Sequence, residues 1–138
     1  MNNDEMILVS ESKFSFDETI ERISQSIARI GWKVVTTHNF QEILQKNGTS
    51  VRPLKVLEVC NPKYASQLLT IDSLLMYSPL MPCRISVYET SDGHCFVSRM
   101  NSAAMAAMIG GIVFDVMNKA NNDIEELVTK ICKKPTVL

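Results

Sequence analysis

The chain has 138 residues and reads as a single domain, residues 1–138 with a core of about 6–133, long enough to bury a core without disulfide or metal staples. Hydrophobic residues make up 46% and charged residues 21%, which excludes a disordered chain. A net charge of −1 without any Lys/Arg block argues against a grip on phosphate backbones, so no nucleic acid is expected as a partner.

Met1-Asn2-Asn3-Asp4-Glu5 is acidic and polar, unlike the basic, apolar start of a secretory signal. Residues 6–12 read as a first strand. Ser15-Phe16-Asp17-Glu18 fits a capping box, with Ser15 as N-cap and Glu18 reaching back to it. Phe16, Ile20, Ile23, Ile27 and Ile30 then form one helical stripe, stopped by Gly31. Residues 32–37 are rich in β-branched side chains and read as a strand, followed by a short helix over 39–45. Residues 54–60 alternate as a strand, and Asn61-Pro62 starts a helix with asparagine as N-cap and proline in the first turn.

Residues 71–81 read as a loop by their prolines and Ser/Asp content, yet carry Ile71, Leu74, Leu75, Met76, Tyr77, Leu80 and Met81. So apolar a loop must cover the core, line a pocket or face a partner. Residues 83–89 and 94–100 are strands joined by a turn containing Asp92-Gly93, a strong hairpin signal. Residues 102–133 are helical, with a break at Gly110-Gly111. Within them the apolar run 103–114 is well short of a bilayer span, so no membrane is expected. The order β-α-β-α-β-α-β-β-α predicts an α+β fold, an antiparallel or mixed sheet with helices on one face.

Cys60-Asn61-Pro62 with Ala65, and Met81-Pro82-Cys83-Arg84-Ile85 continuing through Val87-Tyr88-Glu89, in this order and spacing resemble domain-of-unknown-function family 302, small prokaryotic domains. The resemblance spans roughly residues 10–132. It implies a TATA-binding-protein-like α+β sheet and a tendency to homodimerise, and it implies no activity or cofactor.

Four cysteines, Cys60, Cys83, Cys95 and Cys132, none in a CxxC pair, fit reduced thiols in a cytoplasmic protein rather than a zinc ribbon. Cys60 precedes a helix N-terminus, where dipole and N–H groups favour a thiolate, and Cys83 opens the next strand. If those strands are antiparallel neighbours, the two sulfurs come within bonding distance, as a redox dithiol, a soft-metal pair or a nucleophile. Against this stands the ordinary role of free cysteine as a small buried hydrophobe. Glu58, on the strand face of Val56 and Cys60, would have a raised pKa if it pointed into a pocket. His38 and His94 show no ligand spacing, and Met100, Met105, Met108 and Met117 read as packing. The favoured reading is a homodimeric ligand-binding or interaction module with Cys60, Cys83, Arg84 and Tyr88 lining its site. The alternative is a thiol-based redox sensor or enzyme using Cys60 and Cys83.

Overall fold

A computed structural model of the chain describes residues 6–134; residues 1–5, read above as an acidic start, and 135–138 lie outside the described residues. The elements are β1 (Ile7–Glu11), α1 (Phe16–Arg29), β2 (Lys33–Asn39), α2 (Phe40–Lys46), β3 (Leu54–Cys60), α3 (Pro62–Leu69), a 3₁₀ segment (Asp72–Leu80), β4 (Cys83–Glu89), β5 (Cys95–Met100), α4 (Ser102–Ala107) and α5 (Gly111–Ile131).

Local chemistry sets most of these boundaries. The Ser15 side chain accepts the Glu18 N–H at 3.3 Å and opens α1. The Glu18 carboxylate does not fold back as a capping box would have it; it pairs with Arg22 one turn on, at 3.0 Å. Gly31 ends the helix at φ 80°, a conformation that costs glycine nothing. Asn39 and Asn61 cap α2 and α3 through their side-chain oxygens. The expected break holds at Gly110 and Gly111, both at positive φ, which separate α4 from α5.

The five strands form one antiparallel sheet in the order β1-β5-β4-β3-β2. Leu8, Leu57, Val59, Ile85, Val87, Cys95 and Val97 point to one face. There all but Leu8 join Ile23 and Ile27 of α1 and Ala120, Ile124, Leu127, Val128 and Ile131 of α5 in the main core. The apolar stripes at helical spacing therefore bury against the sheet residues of period two. Edge strand β2 carries a bulge between Val34 and Thr36, a device that discourages edge-to-edge pairing. No helix of the described residues is long and apolar enough to cross a membrane.

Residues 71–81, expected as a loop, are mostly 3₁₀ helix, because Pro79 and the lack of any apolar period leave no α-helical face. Leu74, Tyr77, Leu80 and Met81 pack on a second apolar cluster of Leu68, Ala106, Val113, Val116 and Met117. The segment covers that part of the core, and its end also lines a cavity.

The end of β1 is clasped by charge. Glu11 takes Lys133 Nζ at 2.7 Å and His94 Nδ1 at 2.8 Å. The bond from Lys133, then that from His94, holds the Glu11 carboxyl below its ordinary value; the Glu11 bond, then the Asp92 charge, holds His94 above its own. The lowered carboxyl contributes stability that is present above its unfolded value and lost as pH falls through its folded one. The raised imidazole contributes stability that is full below its unfolded value and lost as pH rises through its folded one. The clasp is thus tightest between about pH 4.5 and 6.5, the ordinary values of the two groups. His94→Ala should move the Glu11 titration upward in a carboxyl-detected NMR series; an unmoved Glu11 would show that Lys133 alone sets it.

Candidate functional site

The two central strands part company at one end. β4 pairs with β5 only from Ile85, opposite Arg99. Beyond that point Cys83 and Arg84 stay with β3, opposite Val59 and Glu58, while Met100 stays with β1, opposite Ile7. The sheet therefore forks between Arg84 and Met100. A cavity of about 280 Å³ fills the fork, walled by Pro79 to Arg84, by Arg99 and Met100, by Ser102, Met105 and Ala106 of α4, and by Met117, Asn121 and Ile124 of α5. Ligand sites favour such places, where the scaffold leaves a concave gap among apolar walls and a few polar groups.

The two arginines of the fork are each paired with a carboxylate. Arg99 points to the helix side, its side chain 6% exposed, and makes a two-pronged pair with Glu125 at 2.8 and 2.6 Å. Arg99 Nη1 also donates to Ser10 Oγ at 3.0 Å and to the Val97 carbonyl at 3.3 Å. Arg84 turns to the opposite sheet face and donates to Glu58 at 3.2 Å. Ser102 Oγ donates to Asn121 Oδ1 at 3.1 Å, tying α4 to α5.

Cys60 and Cys83 line a second, smaller cleft of about 30 Å³, room for little more than a water molecule, beside Trp32, Tyr64, Leu68 and Met117. Met81, Pro82 and Cys83 form the partition between this cleft and the fork cavity. β3 and β4 are antiparallel neighbours, as the dithiol reading requires, but the residue opposite Cys83 is Val59. Cys60 is the next residue of β3; both thiols are free, both line this cleft, and they lie near enough for Cys60 to help raise the Cys83 pKa. Burial pushes the Cys60 thiol above its ordinary value, against the expected helix-terminus thiolate, and pushes Cys83 up to about 11. Near neutral pH, alkylation of Cys83 in the folded protein should run roughly a hundredfold slower than in urea, where its value returns to 9.0. Equal rates in the two states, read by mass spectrometry, would restore a reactive Cys83.

Tyr88 is not brought to this site. It shares the helix-free face with Arg84 and stacks on Phe96 at 5.6 Å. On the same face Glu58 is held between His38 at 3.1 Å and Arg84 at 3.2 Å. Glu58 lines neither cavity, so the condition for a raised carboxyl is not met: the His38 bond, with Arg84 behind it, lowers the Glu58 pKa against the opposing effect of burial. Among the described residues no three His, Cys, Asp or Glu side chains gather as a metal site requires.

Three features of the site escape a reading of the sequence. Arg99 stands two residues after Val97 and so shares its inward face, but an inward arginine is found only by trusting the strand period over the charge. Asn121 follows Met117 by one helical turn, a signal for a shared face. Asp123 accepts from Trp32 Nε1 at 3.1 Å and from the Tyr64 hydroxyl at 3.0 Å, partners 91 and 59 residues away, for which no local signal exists.

The profile of a family described as "Domain of unknown function DUF302" matches residues 8–131. No curated protein matches the chain. Among solved structures, the "uncharacterized conserved protein DUF302 from Bacillus stearothermophilus" is similar, at 22% identity and a TM-score of 0.81, over 93% of this chain and 98% of that chain. At that identity the likeness concerns the fold.

Proposed function

This chain belongs to the DUF302 family, and we propose that it is a small homodimeric ligand-binding module whose site is the fork between β4 and β5. The observation that carries the reading is the fork itself: a cavity of about 280 Å³ opened where two central strands diverge, lined by four methionine side chains and by the apolar end of the 3₁₀ segment. Four free thiols fit a reducing, cytoplasmic setting.

A second copy would sit on the helix-free face. Ile7, Val9 and Met100 are exposed there beside the Tyr88–Phe96 stack, a grouping of apolar side chains that marks interaction surfaces. Val9→Lys should then shift the molecular mass in sedimentation from dimer to monomer without loss of helix content. A wild-type protein that sediments as a monomer at tens of micromolar would end the homodimer part of the reading.

The ligand-binding part is tested by native mass spectrometry on protein purified under reducing conditions, followed by methionine-methyl NMR. Extra mass carried through purification, with shifts confined to Met81, Met100, Met105 and Met117, is the expected result. Shifts confined to residues of the smaller cleft, or to Met100 without Met81, Met105 or Met117, would move the site elsewhere.

A further inference from the structure

Resting on the fork as a ligand site, we infer that its occupant is an uncharged aromatic carbonyl compound, a single ring bearing a ketone, aldehyde, ester or amide. Size, wall chemistry, charge and hydrogen-bonding sense each narrow the choice.

A dry cavity of about 150 Å³ holds a benzene ring. The fork, at about 280 Å³, holds a ring and a few further atoms. Its walls carry Met81, Met100, Met105 and Met117. Thioethers are polarizable, adapt to shape and make favourable contacts at the edges of aromatic rings, so four of them suit a flat ring better than a branched aliphatic body.

Charge is the next discriminator. Of the two guanidinium groups near the cavity, Arg99 is engaged by both Glu125 oxygens, and Arg84 turns to the opposite sheet face, where its Nε donates to Glu58. An anion entering the fork would have to compete with those carboxylates or lie unpaired against apolar walls. An ammonium would find no free carboxylate among the residues that line it. Either would leave water without compensation, so the neutral compound is favoured.

The hydrogen-bonding sense decides the polar group. Asn121 spends its Oδ1 on the Ser102 hydroxyl. Its Nδ2 bonds to no other described residue and is not among the buried polar atoms, so it stands at the accessible surface of a residue that lines the cavity. What Asn121 offers a ligand is therefore an N–H donor, and a donor selects an acceptor: a carbonyl oxygen.

The test uses four probes of nearly equal size on the full chain: acetophenone, benzoate, 1-phenylethylamine in its protonated form, and ethylbenzene. Binding is read by chemical-shift titration of the methionine methyls. Acetophenone should bind about fivefold or more tighter than ethylbenzene, the worth of one net hydrogen bond, and tighter than either ion. Asn121→Asp keeps the shape, removes the donor and adds a carboxylate; it should invert the order so that the ammonium binds better than acetophenone. Asn121→Leu, which tolerates loss of the Ser102 bond without a new charge, should bring acetophenone level with ethylbenzene. Benzoate binding tightest, or ethylbenzene equal to acetophenone in the unaltered protein, overturns the carbonyl assignment and leaves the fork as a ligand site of another class. Silence of all four probes at the fork methyls, with no mass carried through purification, overturns the ligand reading itself.

Discussion

Trp32→Ala should destabilise the protein by about 3–5 kcal/mol, the usual cost of deleting a large buried aromatic side chain. Trp32 is 3% exposed and lies between the end of α1 and the start of β2. Its indole meets Tyr64 edge-on, with ring centroids 6.0 Å apart, and its Nε1 donates to Asp123 Oδ2 at 3.1 Å. Tyr64 donates to the same oxygen at 3.0 Å, so one carboxylate of α5 holds the entry to β2 and the face of α3 together. Truncation removes the wall of the small cleft, and the paired backbones of β2 and β3 leave little scope for collapse onto the void. Trp32→Phe keeps most of the ring and loses only the donor, while Tyr64 still satisfies Asp123. Its cost should be about 1 kcal/mol. Urea denaturation of both variants separates the two contributions. A Trp32→Phe loss as large as that of Trp32→Ala would mean that the hydrogen bond, rather than the packing, holds the three elements.

The same network shows where the sequence speaks and where it falls silent. Ser15, Gly31, Asn39, Asn61 and Gly110 act within a few residues of themselves, through caps and positive φ, so the boundaries they set are written locally. The stripes of α1 and α5 are equally legible, because a period of three to four residues can only serve one buried face. Asp123 is different. On its helix it looks like one more solvated carboxylate, and only the approach of β2 and α3 gives it two donors.

The candidate site divides along the same line. Period two within β4 already sets Cys83, Ile85 and Val87 on one face and Arg84, Ser86 and Tyr88 on the other. Tyr88 could have been separated from Cys83 on that ground alone. Cys60 precedes a helix terminus, and burial, which the sequence does not announce, holds its thiol above the ordinary value. The fork has no local signal: it arises because Cys83 and Arg84 follow β3 while Met100 follows β1, a matter of long-range register. Met81, Pro82 and Cys83, within the segment that carries the family resemblance, line both cavities and form the partition between them.

Glu125→Ala should also cost about 3–5 kcal/mol, for a reason opposite to cavity formation: it strands a charge. The Arg99 guanidinium keeps Ser10 Oγ and the Val97 carbonyl but loses both carboxylate oxygens, and at 6% exposure its side chain has little water to turn to. The melting temperature should fall by roughly 10 °C or more. Replacing both partners, Arg99→Met with Glu125→Leu, removes the charge along with its counter-charge and should recover most of the loss, since two apolar side chains can take the place of a buried ion pair. A double variant as unstable as Glu125→Ala would show that the guanidinium is needed for its bonds to β1 and β5 rather than merely tolerated. The milder Glu125→Gln connects this pair to the ligand. It retains an acceptor for Arg99 but leaves the fork with one uncompensated positive charge. Benzoate should then overtake acetophenone in the same methionine-methyl titration. An unchanged order would mean that the charge balance at Arg99 plays no part in what the fork admits.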